Sequence, residues 1–292
     1  MNKVVAVVVT YNRSDLLIEN VGCLMAQSYP TDILIIDNNS TDDTYVKLQS
    51  LISSGKIKYI NTGENLGGAG GFQLGIKEAV SSGYEYIWLM DDDCMPQQDA
   101  LKEFMIADSK ISEYGFLSSK VLWKDGSVCT MNVQRRTLTK PVKSFDKDHI
   151  PVVMASFVSL FLKTSVVKEV GLPIKEFFIW TDDWEYTRRI SRKYKCYVVS
   201  SSVVIHKSKS NIGAHIASDD LDRLDRYYYL YRNDVYLYRR EGFKGFCYEF
   251  VRLFAHFFKI LFKAQNHRCK RIRIMLKGTK AGLKFKPEIE YV

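Results

Sequence analysis

Residues 3–10, KVVAVVVT, set apolar and β-branched side chains on successive positions without polar alternation, which predicts a strand covered on both faces, as in the middle of a parallel sheet. After a polar YNRSD, Leu16, Leu17, Val21 and Leu24 recur at helical spacing until Tyr29-Pro30, predicting a helix capped by Ser14. DILIID predicts a second strand ending at Asp37. NNSTDDT then opens a second helix, with Ser40 or Thr41 at its cap and Val46, Leu48, Leu51 and Ile52 on its apolar stripe. KIKYIN reads as a third strand, followed by NLGGAGGF (Asn65 to Phe72), which leads into a helix through GIKEAVSSG. The fourth strand, YIWLM, runs directly into Asp91, Asp92 and Asp93.

Strands alternating with helices imply an α/β fold built on a doubly wound, mostly parallel sheet, in which ligands gather at the C-terminal ends of the strands. Those ends carry Thr10-Tyr11-Asn12-Arg13, Asp37-Asn38-Asn39, Asn65 with its glycines, and Asp91 to Asp93, so the unusual chemistry falls on one edge. From about residue 115 the pattern shifts to shorter β segments, GFLSSKVLW and VVMASFVSLFL. An aromatic strand, EFFIW, then leads into Thr181-Asp182-Asp183 at the start of a helix, and CYVVSSSVVIH closes at His206. The last quarter reads as helical, over 221–240 and again from 243 to about 264. The expected division is an α/β domain over 1–215, with halves 1–114 and 115–215, and a helical, basic and aromatic region over 216–292.

Composition narrows this picture only in part. A chain of 292 residues with 46% hydrophobic content can bury a full core, and a net charge of +9 favours an anionic partner, whether nucleotide, lipid surface or nucleic acid. The six cysteines are dispersed, without CxxC pairs, which fits reduced thiols in the cytoplasm. The apolar N-terminal run is too short for a leader peptide, and no uncharged stretch is long enough to span a bilayer.

Three adjacent carboxylates at the end of a core strand repel one another, and a hard divalent cation such as Mn2+ or Mg2+ would cancel that repulsion; a solvated acidic turn is the competing reading. Gly67, Gly68, Gly70 and Gly71 suit close backbone approach to an anionic ligand, or simply close packing of a helix on a strand. They follow the third strand without GxGxxG spacing and lack a P-loop lysine, which argues against dinucleotide binding. Asp182 and Asp183 open a helix whose dipole favours ionised carboxylates, as a general base requires, although plain capping uses the same residues. His206 joins these clusters if its strand ends on the same side.

TYNR, DNNSTD, WLMDDD and WTDDWE with a later histidine resemble the inverting glycosyltransferases of family 2, which have the GT-A fold. NLGGAGGF, FFIWTDDWEY and IH bring the resemblance closer to the bacterial galactofuranosyltransferases, and YYYLYRN and KGTKAGL are similar to tails of that group. The resemblance implies a UDP-sugar donor, with 1–114 as the nucleotide-binding half and 115–215 as the acceptor-binding half. It gives Thr10, Tyr11, Arg13 and Asp37 to the uridine, and Asn65 and Gly68 to the diphosphate and donor sugar. Asp91, Asp93 and His206 would hold Mn2+ or Mg2+, with Asp92 touching ribose or diphosphate. Asp183 would be the base, and Trp180 and Asp182 would shape the acceptor pocket. The family's long polymerising members have additional domains at both ends, so a single-addition enzyme is expected. The same departure keeps other nucleotide sugars open as donors and leaves a non-catalytic nucleotide-binding protein as the remote alternative.

In FCYEFVRLFAHFFKILFK, Glu249, Arg252, His256, Lys259 and Lys263 share one helical face and aromatic residues cover the rest; the basic run HRCKRIRIMLKGTKAGLKFK follows. Two readings stand side by side: an in-plane helix on an anionic membrane, or a helix packed on the catalytic domain or across a homo-oligomer interface. No base-reading module accompanies the basic run, so nucleic acid is not expected as a partner. A cytoplasmic protein, peripheral on the inner face of the cell membrane and acting on a glycan or glycolipid acceptor, is the combined expectation.

Overall fold

The computed structural model describes residues 3–292. The chain divides into two compact units, one comprising Met1–Lys175, Asp183–Asn211 and Ile289–Val292, the other Glu176–Asp182 and Ile212–Glu288.

The first unit is built on the α/β alternation. Strands β1 (Val4–Thr10), β2 (Asp32–Asp37), β3 (Lys58–Asn61) and β4 (Tyr86–Asp91) alternate with helices α1 (Ser14–Met25), α2 (Thr44–Ser53) and α3 (Gly67–Ser81). They continue into β5 (Cys94–Pro96), α4 (Ala100–Lys110), β6 (Leu117–Trp123), β7 (His149–Val152), β8 (Leu160–Lys163), α5 (Thr164–Val170), α6 (Asp182–Ser191) and β9 (Cys196–His206). One sheet orders these strands β3-β2-β1-β4-β8-β6-β9-β5, with β7 also paired to β9. The first four strands are mutually parallel, β8 and β5 run antiparallel to their neighbours, and β6 pairs parallel with β9. Every residue of β1 is buried, as its unbroken apolar run requires, because core clusters lie on both faces of the sheet. The C-terminal residues 289–292 return to this unit, where the Leu172 amide donates to the Glu290 carbonyl at 2.8 Å.

Several local expectations fail for tertiary reasons. Ser14 is the first helical residue instead of the cap of α1, because its hydroxyl is turned to Asp43. The cap position of α2 is Asp43, beyond Ser40 and Thr41, which are held by Asp37 and Asn12 in the preceding turn. The glycines lie within α3, not in a loop before it, and a Cβ on Gly71 or Gly75 would lie 2.6 or 2.3 Å from Val9 or Val7. The close-packing reading therefore accounts for Gly71, whereas Gly68 has nothing within 4 Å of an added Cβ.

The second unit is helical: α7 (Tyr227–Arg239), α8 (Gly242–Lys263) and α9 (Arg268–Lys284) follow a 3-10 turn at Leu221–Arg226. Gly278 and Gly282 let α9 approach the α7 backbone, where an added Cβ would lie 2.6 and 2.7 Å from the carbonyl oxygens of Tyr228 and Arg232. The aromatic segment EFFIW is not a strand. It forms a 3-10 turn at Lys175–Phe177 and then a left-handed stretch with φ of 63° at Phe178, 64° at Trp180 and 69° at Thr181. Such backbone costs about 1 kcal/mol or more per non-glycine residue, so neighbours must hold it. The fully buried Asn233 does so, its side-chain amide donating to the carbonyls of Phe177, Ile179 and Trp180 at 3.0, 3.2 and 2.9 Å. Among the described residues no helix is long and apolar enough to cross a membrane.

Two glycine substitutions should move stability in opposite directions. Gly75→Ala places its methyl against Val7 and Ile36 and should cost about 2 kcal/mol. Gly22→Ala, exposed in α1 with nothing within 4 Å, should gain about 0.5–1 kcal/mol. Urea unfolding midpoints of the two variants check both signs.

Candidate active site

Parallel pairing sets the chemistry of the first unit along one edge of the sheet. Thr10 is in register with Asp37, Asp37 with Asn61, and Val9 with Asp91, so β1, β2, β3 and β4 all end together. Asp37 is buried, accepting from the Ser40 amide at 2.9 Å and from the Tyr59 hydroxyl at 2.5 Å. Asn38 reaches across to donate to the Gly67 carbonyl at 3.0 Å, and its own carbonyl oxygen is buried without a hydrogen-bond donor. Asn65 turns its side-chain oxygen back to accept from the Gly67 amide at 2.9 Å, which fixes the entry to α3. Tyr11 is exposed beside this edge.

The acidic triplet straddles the end of β4, and its members differ in their partners. Asp92 is fully engaged by protein: Thr10 donates to one oxygen at 2.8 Å, and Arg13 approaches the other at 3.2 Å. Arg13 also donates to Asp93 at 2.6 Å. Asp91, Asp93 and His206 converge, with one ligand atom from each lying within 4.8 Å of the others. His206 arrives because β9 pairs antiparallel with the short β5, placing it opposite Cys94. Its Nδ1 donates to the Asn132 amide oxygen at 2.8 Å, which turns Nε2 toward Asp93 Oδ1 at 3.1 Å. That approach has ion-pair length without completing a hydrogen bond, so Asp93 Oδ1 is a buried acceptor lacking a donor.

The electrostatics follow from this crowding. Asp91 keeps part of its surface open, yet burial of its carboxyl and then the charge of Asp93 push it up to about 7. Burial raises Asp92 to about 6 against the pull of Arg13. Burial would also raise Asp93, but His206 and Arg13 outweigh it and hold it below the usual carboxylate value. Burial would lower His206, but Asp93, Cys129 and Asp91 push it up to about 10. The pocket thus demands positive charge, which a protonated His206 or, with the imidazole neutral, a metal ion in the proton's place would supply. Two carboxylates, an imidazole oriented by Asn132 and an orphaned carboxylate oxygen form a donor set that fits Mn2+ or Mg2+.

The second acidic pair is placed as its sequence predicts, at the start of α6. Asp183 is partly exposed and accepts from the Trp184 amide at 2.7 Å, while Thr187 donates to the Asp183 carbonyl at 2.6 Å and so ties the first turn together. Asp183 is not part of the Asp91, Asp93 and His206 cluster. Trp180 and Asp182 belong to the second unit, where Trp180 packs edge-on to Tyr227 with ring centres 5.0 Å apart, and Thr181 donates to Asp234 at 2.6 Å. Sequence reasoning missed Asn132, Cys129 and Asn233. Asn132 and Cys129 lie in and beside an irregular turn without periodicity, and Asn233 sits inside the helical YYYLYRN, where nothing local marks its role.

Comparison with known proteins agrees with this geometry. Residues 5–121 match the family described as Glycosyl transferase family 2. The galactofuranosyltransferase GlfT1 of Mycolicibacterium smegmatis is 26% identical over 258 residues, covering 82% of this chain and 84% of that protein. Among solved structures, S. aureus TarS superposes with a TM-score of 0.58 at 16% identity, over 97% of this chain and 44% of that one. GalNAc-T7, solved with UDP, GalNAc and Mn2+, gives 0.58 at 14% identity, over 83% of this chain and 52% of that one. These likenesses at low identity speak for the fold. Residues 5–121 are thus similar to family 2 glycosyltransferases, the fold is that of the GT-A glycosyltransferase structures, and the chain resembles the galactofuranosyltransferases over most of its length.

Proposed function

We propose that the protein is an inverting, metal-dependent transferase that moves galactofuranose from its UDP donor to a hydroxyl of a lipid-linked cell-surface glycan, at the cytoplasmic face of the membrane. The observation that carries this reading is the convergence of Asp91, Asp93 and His206 beside the end of β4. It stands in a chain aligned over 82% of its length with a galactofuranosyltransferase.

Asp91, Asp93 and His206 would hold Mn2+ or Mg2+, which when bound neutralises the diphosphate leaving group. Thr10, Tyr11, Arg13 and Asp37 take the uridine, supported by their common position at the ends of β1 and β2. Asn65 and the unobstructed Gly68 face the diphosphate and the sugar, and Asp92 adds a ribose or diphosphate contact while bracing Thr10 and Arg13. Asp183, open to solvent at a helix start, takes the proton of the acceptor hydroxyl. The acceptor oxygen then bonds to the anomeric carbon as the bond to the diphosphate breaks, inverting that centre. Trp180 and Asp182 contact the acceptor.

Purified protein incubated with UDP-galactofuranose, Mn2+ and glycolipid acceptors should form a galactofuranosylated product. Transfer from a rhamnose or galactopyranose donor instead would reassign the donor. Asp183→Asn should keep UDP and metal binding while transfer falls by about 100-fold or more, and a near wild-type rate would overturn the base assignment. Asp93→Ala should weaken Mn2+-dependent UDP binding by about tenfold or more in calorimetry, as should chelation of the wild type with EDTA.

A further inference from the structure

The α8 helix buries Ile260, with Leu253 and Phe257 packed beside it, yet leaves a second apolar stripe facing outward. Its polar residues face the protein: Arg252 pairs with Asp234 at 2.7 Å and with Glu249 at 2.7 and 2.8 Å, and His256 bonds the Tyr231 hydroxyl at 3.0 Å. Glu249 is buried. The opposite side carries Phe243, Phe246, Phe250, Phe254, Phe258 and Phe262, spaced at three or four residues and therefore on one face. All six are exposed, from 38% at Phe258 to 81% at Phe243. An ordinary surface helix does the reverse, because exposed apolar area costs free energy in water. The helix cannot turn this face inward without breaking the buried ion pairs.

The partner must be apolar where the phenylalanines lie, and the exposed cations of the unit favour an anionic one. Lys244 is exposed next to Phe243 on α8, and Arg273, Lys277 and Lys280 are exposed on α9, a helix of the same unit without an acidic residue. We infer that the phenylalanine face of α8 inserts, parallel to the surface, into the interface of an anionic lipid bilayer, with these cations against the headgroups. At 22 residues the helix is about 33 Å long, and lying flat it brings all six rings to one depth. The inference deepens the proposed function by giving its membrane contact a surface. Its test does not involve sugar transfer, so the two can fail separately.

The full chain is floated with phosphatidylcholine vesicles, with and without phosphatidylglycerol. The wild type should float with the anionic vesicles and lose about tenfold or more of that binding in high salt. The triple variant Phe246→Ser, Phe250→Ser, Phe254→Ser should lose about 100-fold in vesicle affinity. It alters only exposed positions, so its thermal unfolding should match the wild type. Phe250→Leu, which keeps an apolar residue, should bind like the wild type. The inference is overturned if the wild type does not float, or if the folded triple variant floats equally well. It is also overturned if sedimentation shows a wild-type dimer that the variant abolishes while vesicle binding is unchanged, since the face would then seat a second copy.

Discussion

The first unit depends on a concentration of negative charge at the buried end of one strand. Asp91, Asp92 and Asp93 sit where β4 leaves the core, and burying carboxylates together is costly unless cations or donors are built around them. The chain supplies these from two directions: Thr10 and Arg13 from the end of β1, and His206 from β9. Each compensation constrains a separate element. Arg13 ties the turn after β1 to the triplet, and the antiparallel pairing of β5 with β9 exists within a few residues of the charges it helps to balance. Compensation is incomplete at Asp93 Oδ1 and at Asn38 Oδ1, both buried acceptors without donors on the same edge of the sheet. Two unsatisfied acceptors on this ligand edge leave room there for a ligand that brings positive charge and donors of its own.

This arrangement also explains the asymmetry within the triplet. Asp92 is enclosed by protein partners on both oxygens, so its part in the site is largely to hold Thr10 and Arg13 in place. Asp91 and Asp93 keep the geometry of ligands. The triplet leaves the strand at Asp91, and the turn that follows directs Asp92 to Thr10 and Arg13 and brings Asp93 back beside His206.

What the sequence made legible was whatever repeats with a period. The unbroken apolar runs of β1, β2 and β4 and the stripe of α1 follow from burial on known faces, so the sheet and its ligand edge could be read directly. His206 was legible only as the end of an apolar strand, because its arrival at the triplet depends on strand order. Ser14 and the Ser40-Thr41 pair were misread for a related reason: each side chain or amide bonds to a distant turn rather than capping the adjacent helix. EFFIW has the composition of a strand and the backbone of a left-handed turn, because Asn233, more than fifty residues later, binds its carbonyls. Composition cannot report such a long-range override of local preference.

The C-terminal region extends the same lesson to orientation. Amphipathic spacing predicts that a helix has two faces, and burial of the apolar one is the default. In α8 one apolar stripe, with Ile260, is buried while the phenylalanine stripe stays outside, and that orientation is fixed by a small group of charges. Arg252 bridges Asp234 and Glu249, and Asp234 also accepts from Thr181, immediately after the left-handed Trp180. The ionic cluster that turns the phenylalanines outward is therefore continuous with the bonds that hold the turn from Phe177 to Thr181. Removing one partner of such a cluster leaves uncompensated buried charge, which is far costlier than exposing or covering a ring. The direction in which α8 faces is thus set from inside the unit, and an apolar surface outside must accommodate it.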